Sequence, residues 1–135
     1  MGSPRSLTKK QVLDLLSRRL PLSDMDLRGV DLSGVNFDGA DLARTKLAEA
    51  NLSRASFRQA NLVAASLWSA ECKDAIFDGA ILEETDFDFA NLDGATFRGA
   101  KVKKAIFPQS RALLPEVLES VRTGKKIRMA RVQDE

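Results

Sequence analysis

The chain has 135 residues, a hydrophobic fraction of 44% and a formal net charge of +2, which suit a single soluble domain with one modest core. We expect no membrane span and no signal peptide, because no apolar run approaches the roughly 18 residues that a span needs. Histidine is absent and Cys72 is the only cysteine. These counts exclude a histidine-based triad and an internal disulfide framework, and they favour a cytoplasmic location.

The first predicted element is a short helix near the N-terminus. Thr8, followed by Gln11 three residues later, has the pattern of a capping box. The apolar residues after it recur at helical spacing and are Val12, Leu13, Leu16 and Leu20. We expect this helix, within an N-terminal region of residues 1–21, to cap the repeat region that follows.

A five-residue repeat comes next, with a large centre residue, Leu or Phe in nearly every unit, at each fifth position from Leu27 to Phe107. The residue two places before each centre is small, usually Ala, and the residue between them is often Asp or Asn. Six glycines follow two places after a centre, where a turn needs a positive φ. Because a period of five fits neither a helix nor a flat strand, the repeat predicts a solenoid.

Four such units make one coil of the predicted solenoid. The spacing of twenty residues that shows this is carried by Phe37, Phe57, Phe77 and Phe97. Stacked strands lie about 4.8 Å apart, so we expect these rings to form one column inside a filled tube. Cys72 occupies a centre position between Leu52 and Leu92, and we therefore expect a buried, unreactive thiol.

The pattern A-[DN]-[LF]-x-x, as in ANLSR at residues 50–54, resembles the pentapeptide-repeat family over about 85 of the 135 residues. The resemblance implies an all-β solenoid, a right-handed quadrilateral β-helix of about four coils of four pentapeptides, with short helical caps at both ends. We assign residues 22–110 to this β-helix. The resemblance also favours a bacterial protein, of cyanobacterial type especially.

A second helix is predicted in LLPEVLESVRTG, within a C-terminal region of residues 111–135. Pro115 suits its first turn and Gly124 its end. Its apolar stripe, which indicates either an end cap or a homodimer contact, consists of Leu114, Val117, Leu118 and Val121. The basic stretch at residues 125–135 is expected to be a frayed tail, with ordering by a partner as the alternative.

No set of residues predicts catalysis, a metal site or a cofactor, and we expect a protein that is not an enzyme. No nucleotide-binding or CxxC motif occurs. The carboxylates of ILEETDFDF should point outward on different sides, which indicates solvated charge; they are Glu83, Glu84, Asp86 and Asp88. A filled tube also leaves no pocket in which their pKa values could be perturbed.

The outward columns carry interleaved charges. One column should hold Asp38, Arg58, Asp78 and Arg98, and in two others Glu83 and Glu84 should lie below Lys103 and Lys104. Family members that bind DNA gyrase are thought to present a continuous acidic surface, so a DNA-mimicking gyrase binder is the alternative function. Nucleic-acid binding is not expected, because the basic residues are scattered without an aromatic platform.

Two aromatic residues, Trp68 and Phe89, lie outside the core positions. They follow stacked centres, so both should be exposed and close together. The small and apolar residues beside them are Ala43, Ala48, Val63 and Ala64. A contiguous exposed patch is typical of an interface, although Trp68 could instead fold onto Phe89. We predict a protein–protein interaction or scaffold module, with partner-binding residues Trp68, Phe89, Ala48 and Val63.

Overall fold

Every fifth residue turns the backbone in the computed structural model, which describes residues 6–108 and 113–129. From Asp24 to Lys104, each fifth residue has a positive φ between 57° and 80°. Each is the third residue of a hydrogen-bonded turn, as where the Val30 N–H donates to the Leu27 carbonyl at 3.2 Å. The extended segments between turns are so short that, within the described ranges, each pairs through a single bridge residue.

Successive coils pair through parallel bridges between residues twenty apart, such as Asp26 with Lys46 and Lys46 with Ser66. The centres from Leu22 to Phe87 donate their N–H groups to the next coil, as Leu47 does to the Ser66 carbonyl at 2.8 Å. The bridge residue donates in the opposite direction, as Ser66 does to the Thr45 carbonyl at 3.0 Å. The predicted register of twenty residues is confirmed.

The repeat begins one unit earlier than the sequence pattern indicates. Leu22 is fully buried, its N–H donates to the Asp41 carbonyl at 2.9 Å, and a turn follows it. Pro21 and Leu20 occupy the positions where other units have a polar and a small residue, which hides this unit. Farther toward the N-terminus, Ser6 still pairs in parallel with Asp26.

The centre residues form stacked ladders inside the tube. Phe37, Phe57, Phe77 and Phe97 lie in one column, with neighbouring ring centroids 4.9 to 5.1 Å apart and ring planes within 12° of parallel. Phe87 stacks on Phe107 in a second aromatic column. Phe87 also contacts Phe77 edge to face with ring centroids 5.3 Å apart, so the two columns pack against each other. The predicted column is confirmed.

Two small positions hold threonine instead of alanine, and both hydroxyls are buried. Thr45 Oγ1 donates to the Leu42 carbonyl at 2.6 Å, and Thr85 Oγ1 donates to the Leu62 carbonyl at 2.8 Å. Each buried hydroxyl therefore finds a partner in a turn or a neighbouring coil, which removes the cost of burying it.

The preference for Asp or Asn at the polar position has a local cause. The side-chain oxygen accepts the N–H two residues later, as Asp31 Oδ1 does from Ser33 at 3.1 Å and Asn61 Oδ1 from Val63 at 3.1 Å. This Asx arrangement satisfies a backbone donor at the start of each turn.

In two units where another residue occupies the polar position, the acceptor comes from the preceding coil. Ser56 replaces Asp or Asn in its unit, and there the Arg58 N–H donates to Asp38 Oδ1 at 2.9 Å. Arg98 N–H donates to Asp78 Oδ1 at 3.2 Å in the same way. The alternating column is confirmed, but its main role is to satisfy backbone donors, since the Arg58 and Asp38 charges approach only to 4.0 Å.

Helix α1 spans Lys9–Ser17 and begins with the predicted capping box between Thr8 and Gln11. Val12 is fully buried among the core residues. The predicted apolar stripe is wrong at two residues that stay 44% and 41% exposed, Leu13 and Leu20.

Helix α2 spans Leu114–Thr123 and has the predicted ends. Pro115 lies in the first turn, where its missing N–H costs no helical hydrogen bond. Gly124 ends the helix with a φ of 80°, and its N–H donates to the Ser120 carbonyl at 2.7 Å. A Cβ at Gly124 would also lie 3.2 Å from the Arg98 side chain.

The predicted apolar stripe of α2 is divided between two faces. Val117 is fully buried and Val121 packs against the core, whereas Leu114 and Leu118 are 52% and 50% exposed. The four residues therefore do not act as one surface.

The last coil finds hydrogen-bond acceptors in α2 and in the segment after it, residues 125–129, which we call the strap. The Phe97 N–H donates to the buried Ser120 Oγ at 2.9 Å, and the Gly99 N–H to the Val121 carbonyl at 2.9 Å. On the adjoining side the Gly94 N–H donates to the Ile127 carbonyl at 2.7 Å.

The frayed tail expected from the sequence is wrong for residues 125–129. Ile127 is buried, and its own N–H donates back to the Ala95 carbonyl at 2.8 Å. Met129 accepts the Leu92 N–H on its sulfur at 3.2 Å. Residues 130–135 lie outside the described ranges.

Replacing Phe77 by Ala is expected to lower the free energy of unfolding by about 3 to 5 kcal/mol, because it opens a cavity between two stacked rings. Chemical denaturation followed by circular dichroism measures the change. Phe89→Ala is the matched control, since Phe89 is 65% exposed. Equal losses in the two variants would contradict the internal ladder.

Replacing Ser120 by Ala is expected to cost about 1 to 3 kcal/mol, because the buried Phe97 N–H then lacks its acceptor. Ser17→Ala is the control, as Ser17 Oγ makes its bond to the Asp14 carbonyl on an exposed helix end. Thermal unfolding compares the two variants. A Ser120 variant as stable as the Ser17 variant would show that this bond contributes nothing.

Candidate functional site

The structure brings Trp68 and Phe89 together on stacked turns, and we call these two residues the aromatic pair. Their ring centroids lie 5.7 Å apart at 68°, an edge-to-face contact. Trp68 nevertheless remains 41% exposed and Phe89 65% exposed. The two readings of the sequence are therefore compatible: the rings contact each other and still present open apolar surface.

Phe89 adopts a backbone conformation that is costly for a bulky residue. Its φ is 62°, the left-handed region, at a turn position that glycine occupies in six other units. Such a conformation costs roughly 1 to 2 kcal/mol for a residue with a Cβ. The repeat imposes this φ in every unit, and ten other units also carry a residue other than glycine there, so the strain at Phe89 comes from the turn itself.

The other predicted partner-binding residues lie around the aromatic pair but differ in exposure. Ala48 is half-buried one coil before Trp68, since the neighbouring Glu49 N–H donates to the Trp68 carbonyl at 2.8 Å. Val63 is half-buried on the preceding turn. The remaining two residues noted in the sequence differ: Ala64 is exposed and Ala43 is buried.

The backbone beneath the aromatic pair is already hydrogen-bonded. The Ser69 N–H donates to the Asp88 carbonyl at 2.9 Å, and the Phe89 N–H donates to Asp88 Oδ1 at 3.1 Å. The turn is closed by the Ala70 N–H on the Leu67 carbonyl at 3.0 Å. These donors are not available to an added strand, which favours recognition through side chains.

Four carboxylates belong to units stacked on or next to those of the aromatic pair: Glu49, Glu71, Asp86 and Asp88. Asp86 Oδ1 accepts the Asp88 N–H at 2.8 Å, and Glu71 accepts a hydrogen bond from the Asn91 side chain. None of the four is in an ion pair within 4.0 Å with another residue of 6–108 or 113–129. The sequence pattern indicates solvated charge at Asp86 and Asp88, and the spacing of all four carboxylates from Trp68 and Phe89 is the signal that connects them with the aromatic pair.

Two carboxylates elsewhere on the solenoid, Asp24 and Asp26, are held by arginines. Arg44 donates to both Asp24 oxygens, at 2.8 and 3.0 Å, a contact across coils that the sequence analysis missed. Arg28 donates to both Asp26 oxygens, and these hydrogen bonds hold the pKa of Asp26 at about 2.

The ion pairs expected at the last coil are not observed. The stacking is as predicted, since the Glu84 N–H donates to the Lys103 carbonyl at 3.0 Å. Yet no ion pair within 4.0 Å joins Glu83 to Lys103 or Glu84 to Lys104, all four of which are described.

The described residues offer little chemistry. Cys72 is fully buried, and burial raises the pKa of its thiol far above the usual range, so it is not a nucleophile. No group of three or more Cys, Asp or Glu within residues 6–108 and 113–129 is placed to hold a metal ion. In the same residues, neither helix is long and apolar enough to cross a membrane.

A groove of about 810 Å³ lies outside the tube, between the end of α1 and the first coil. None of the carboxylates of ILEETDFDF lines this groove. The lining residues are mostly apolar or uncharged, and their only ionisable members are Arg19, Asp38 and Asp41. They include no cysteine, and the whole chain has no histidine.

Comparison with solved structures identifies proteins of the same architecture. A pentapeptide repeat protein from Nostoc Pcc 7120 is 29% identical with a TM-score of 0.75, over 85% of this chain and 96% of that chain. A pentapeptide repeat protein from the Arabidopsis thaliana thylakoid lumen is 34% identical with a TM-score of 0.59, over 59% of this chain. This chain spans only 55% of the Arabidopsis chain.

QnrB1, a plasmid-mediated fluoroquinolone resistance protein, is 24% identical with a TM-score of 0.56, over 59% of this chain and 39% of that chain. At this identity the likeness concerns the fold alone. No curated protein matches the sequence.

The family model for pentapeptide repeats matches residues 26–62, 60–99 and 70–107, with eight copies. Proteins of this family are right-handed quadrilateral β-helices, and they are generally structural or interaction modules. The matched residues make up more than half of the sequence and coincide with the turns and bridges described above. The chain belongs to the pentapeptide repeat family.

Proposed function

We propose that the chain is a non-enzymatic interaction module that docks or scaffolds a partner protein, with Trp68 and Phe89 as its anchors. The observation that carries this proposal is the aromatic pair, two exposed rings in contact on consecutive coils. Large aromatic side chains contribute most of the binding energy in many interfaces. Ala48 and Val63 would extend the surface around them.

Rigidity supports the same proposal. The turns that carry Trp68 and Phe89 are bonded to the coils on either side, and the stacked rings of the core lie behind them. A surface that is already ordered loses little conformational entropy when a partner binds. The module would therefore contribute shape and position to its partner, with no cofactor.

We also propose that the β-helix has about four coils of four pentapeptides, closed by a helix at each end. The capping role of α2 is supported by the buried Val117 and by the bond from Phe97 to Ser120. That of α1 is supported by the buried Val12. In this proposal residues 1–21, 22–110 and 111–135 are the three regions of the chain.

Two further assignments are part of the proposal. A homodimer through α2 would use Leu114 and Leu118, which are exposed, rather than the full predicted stripe. The cytoplasm suits the chain because its single cysteine is buried and unpaired.

The double variant Trp68→Ala with Phe89→Ala is expected to lose capture of the native partner from lysate of the source organism, while its melting temperature changes little. The matched control removes two exposed apolar residues near the other end of the chain, Leu13→Ala with Leu20→Ala. Affinity capture with mass spectrometry compares the proteins retained by the two variants and the wild type. Retention of the same proteins by the aromatic double variant would remove this surface from consideration.

The alternative function, a DNA-mimicking modulator of DNA gyrase, makes a separate prediction. Arg58 and Arg98 interrupt the acidic column of Asp38 and Asp78, so the purified protein is expected to leave gyrase supercoiling unchanged. An agarose-gel supercoiling assay, with and without a fluoroquinolone, measures this. Inhibition or protection at a stoichiometric amount of protein would favour the alternative over the proposed scaffold.

A further inference from the structure

We propose that the aromatic pair receives a cationic peptide segment of the partner, with an arginine or lysine side chain on the Trp68 ring. This inference rests on the proposed function and specifies the chemistry of its partner. It excludes an acidic or a purely apolar segment as the occupant.

The charges around the aromatic pair favour a cationic occupant. Glu49, Glu71, Asp86 and Asp88 accompany the aromatic pair, and none has an ion pair with a described residue. In contrast, the carboxylates of Asp24 and Asp26 elsewhere on the solenoid are held by arginines. A cationic side chain placed between these carboxylates gains attraction that the free protein does not supply.

The exposed indole of Trp68 also favours a cationic side chain. An aromatic face attracts a cation placed over it, and tryptophan does so most strongly. The edge-to-face contact with Phe89 leaves Trp68 41% exposed, so ring surface is open to a partner. A ring of this kind beside carboxylates suits the planar guanidinium of arginine in particular.

Backbone N–H groups at this surface are already hydrogen-bonded within the protein. The N–H groups of Ser69 and Phe89 are bound to Asp88, and that of Glu49 is bound to the Trp68 carbonyl. The surface therefore cannot extend its coils by adding a strand of the partner. Side-chain contacts remain, and those available here are aromatic and anionic.

Two lysines, Lys46 and Lys73, are the cations in the units that hold these carboxylates and the aromatic pair, residues 45–49, 65–74 and 85–89, and they leave the charge balance negative. Lys46 lies in the same column as Asp86, and Lys73 follows Glu71 by two residues. Neither is in an ion pair within 4.0 Å among the described residues. Four carboxylates against two lysines give the surface a net attraction for cations.

The test uses Trp68 itself, because it is the only tryptophan of the chain. The intact protein is titrated with a synthetic peptide of about ten residues in which arginine and serine alternate. Peptides with glutamine or glutamate in place of arginine are the controls. We expect a saturable change of Trp68 emission with the arginine peptide only, weakening as the salt concentration rises.

Charge variants locate the effect. Glu49→Gln with Asp88→Asn is expected to weaken binding of the arginine peptide about three- to tenfold, through loss of two exposed charge contacts. Glu83→Gln with Glu84→Gln makes the same change of net charge on the preceding turn and is expected to leave binding within about twofold. Equal weakening by both pairs would show unspecific attraction and overturn the inference, as would equal binding of the glutamine peptide.

The outcomes separate this inference from the proposed function. If the arginine peptide does not bind, but the native partner is still captured through Trp68 and Phe89, the docking surface stands and its cationic occupant is wrong. If capture is also independent of both rings, the proposed function fails as well. Light scattering that shows self-association relieved by the arginine peptide would assign the surface to a second copy and overturn the inference.

Discussion

The structure depends on hydrogen bonding between parallel coils at a fixed offset of twenty residues. Centres donate their N–H groups to the following coil and bridge residues donate theirs to the preceding one, so consecutive coils hold each other in register. The same offset superimposes equal side chains, which is why Phe37, Phe57, Phe77 and Phe97 stack with nearly parallel rings. Core, turns and outer surface all follow from this one repeat distance.

The outer surface is therefore a grid whose rows are set by the main chain. Trp68 and Phe89 meet because their turns are consecutive in this grid, even though they lie at different positions within their turns. Their surroundings are fixed in the same way, since Asp88 bonds to the main chain of Phe89. A binding surface on this fold needs no mobile loop to bring its residues together.

Much of this arrangement could be predicted from the sequence, because periodicity alone determines which residues stack. The burial of Cys72 and the exposure of Trp68 and Phe89 follow from their positions in the repeat. The ends could not be predicted in the same way. Ile127 of the strap bonds to Gly94 and Ala95, which lie far earlier in the chain, and no repeat pattern predicts this pairing. The basic residues beside Ile127 give the strap a composition that is typical of a frayed tail.

The faces of the helices are a second limit, because helical spacing does not specify the docking angle. For this reason Leu114 and Leu118 remain exposed while Val117 is buried. The charges on the solenoid show the same limit. Their columns follow from the repeat, but whether two long side chains meet depends on rotamers and competing backbone donors, as at Glu84 and Lys104.

The Arg58 N–H donates to Asp38 in the preceding coil, and this has a consequence for how the sequence of such a chain can evolve. A donor at the start of a turn can be satisfied by its own unit or by an aspartate one coil earlier. A sequence can evolve from one arrangement to the other through an intermediate sequence that carries both acceptors. The backbone donor is then satisfied at every step. A unit without Asp or Asn at its polar position can then have its acceptor supplied by the unit one coil earlier. Compensating pairs should be sought at a separation of eighteen residues, that of Asp38 and Ser56.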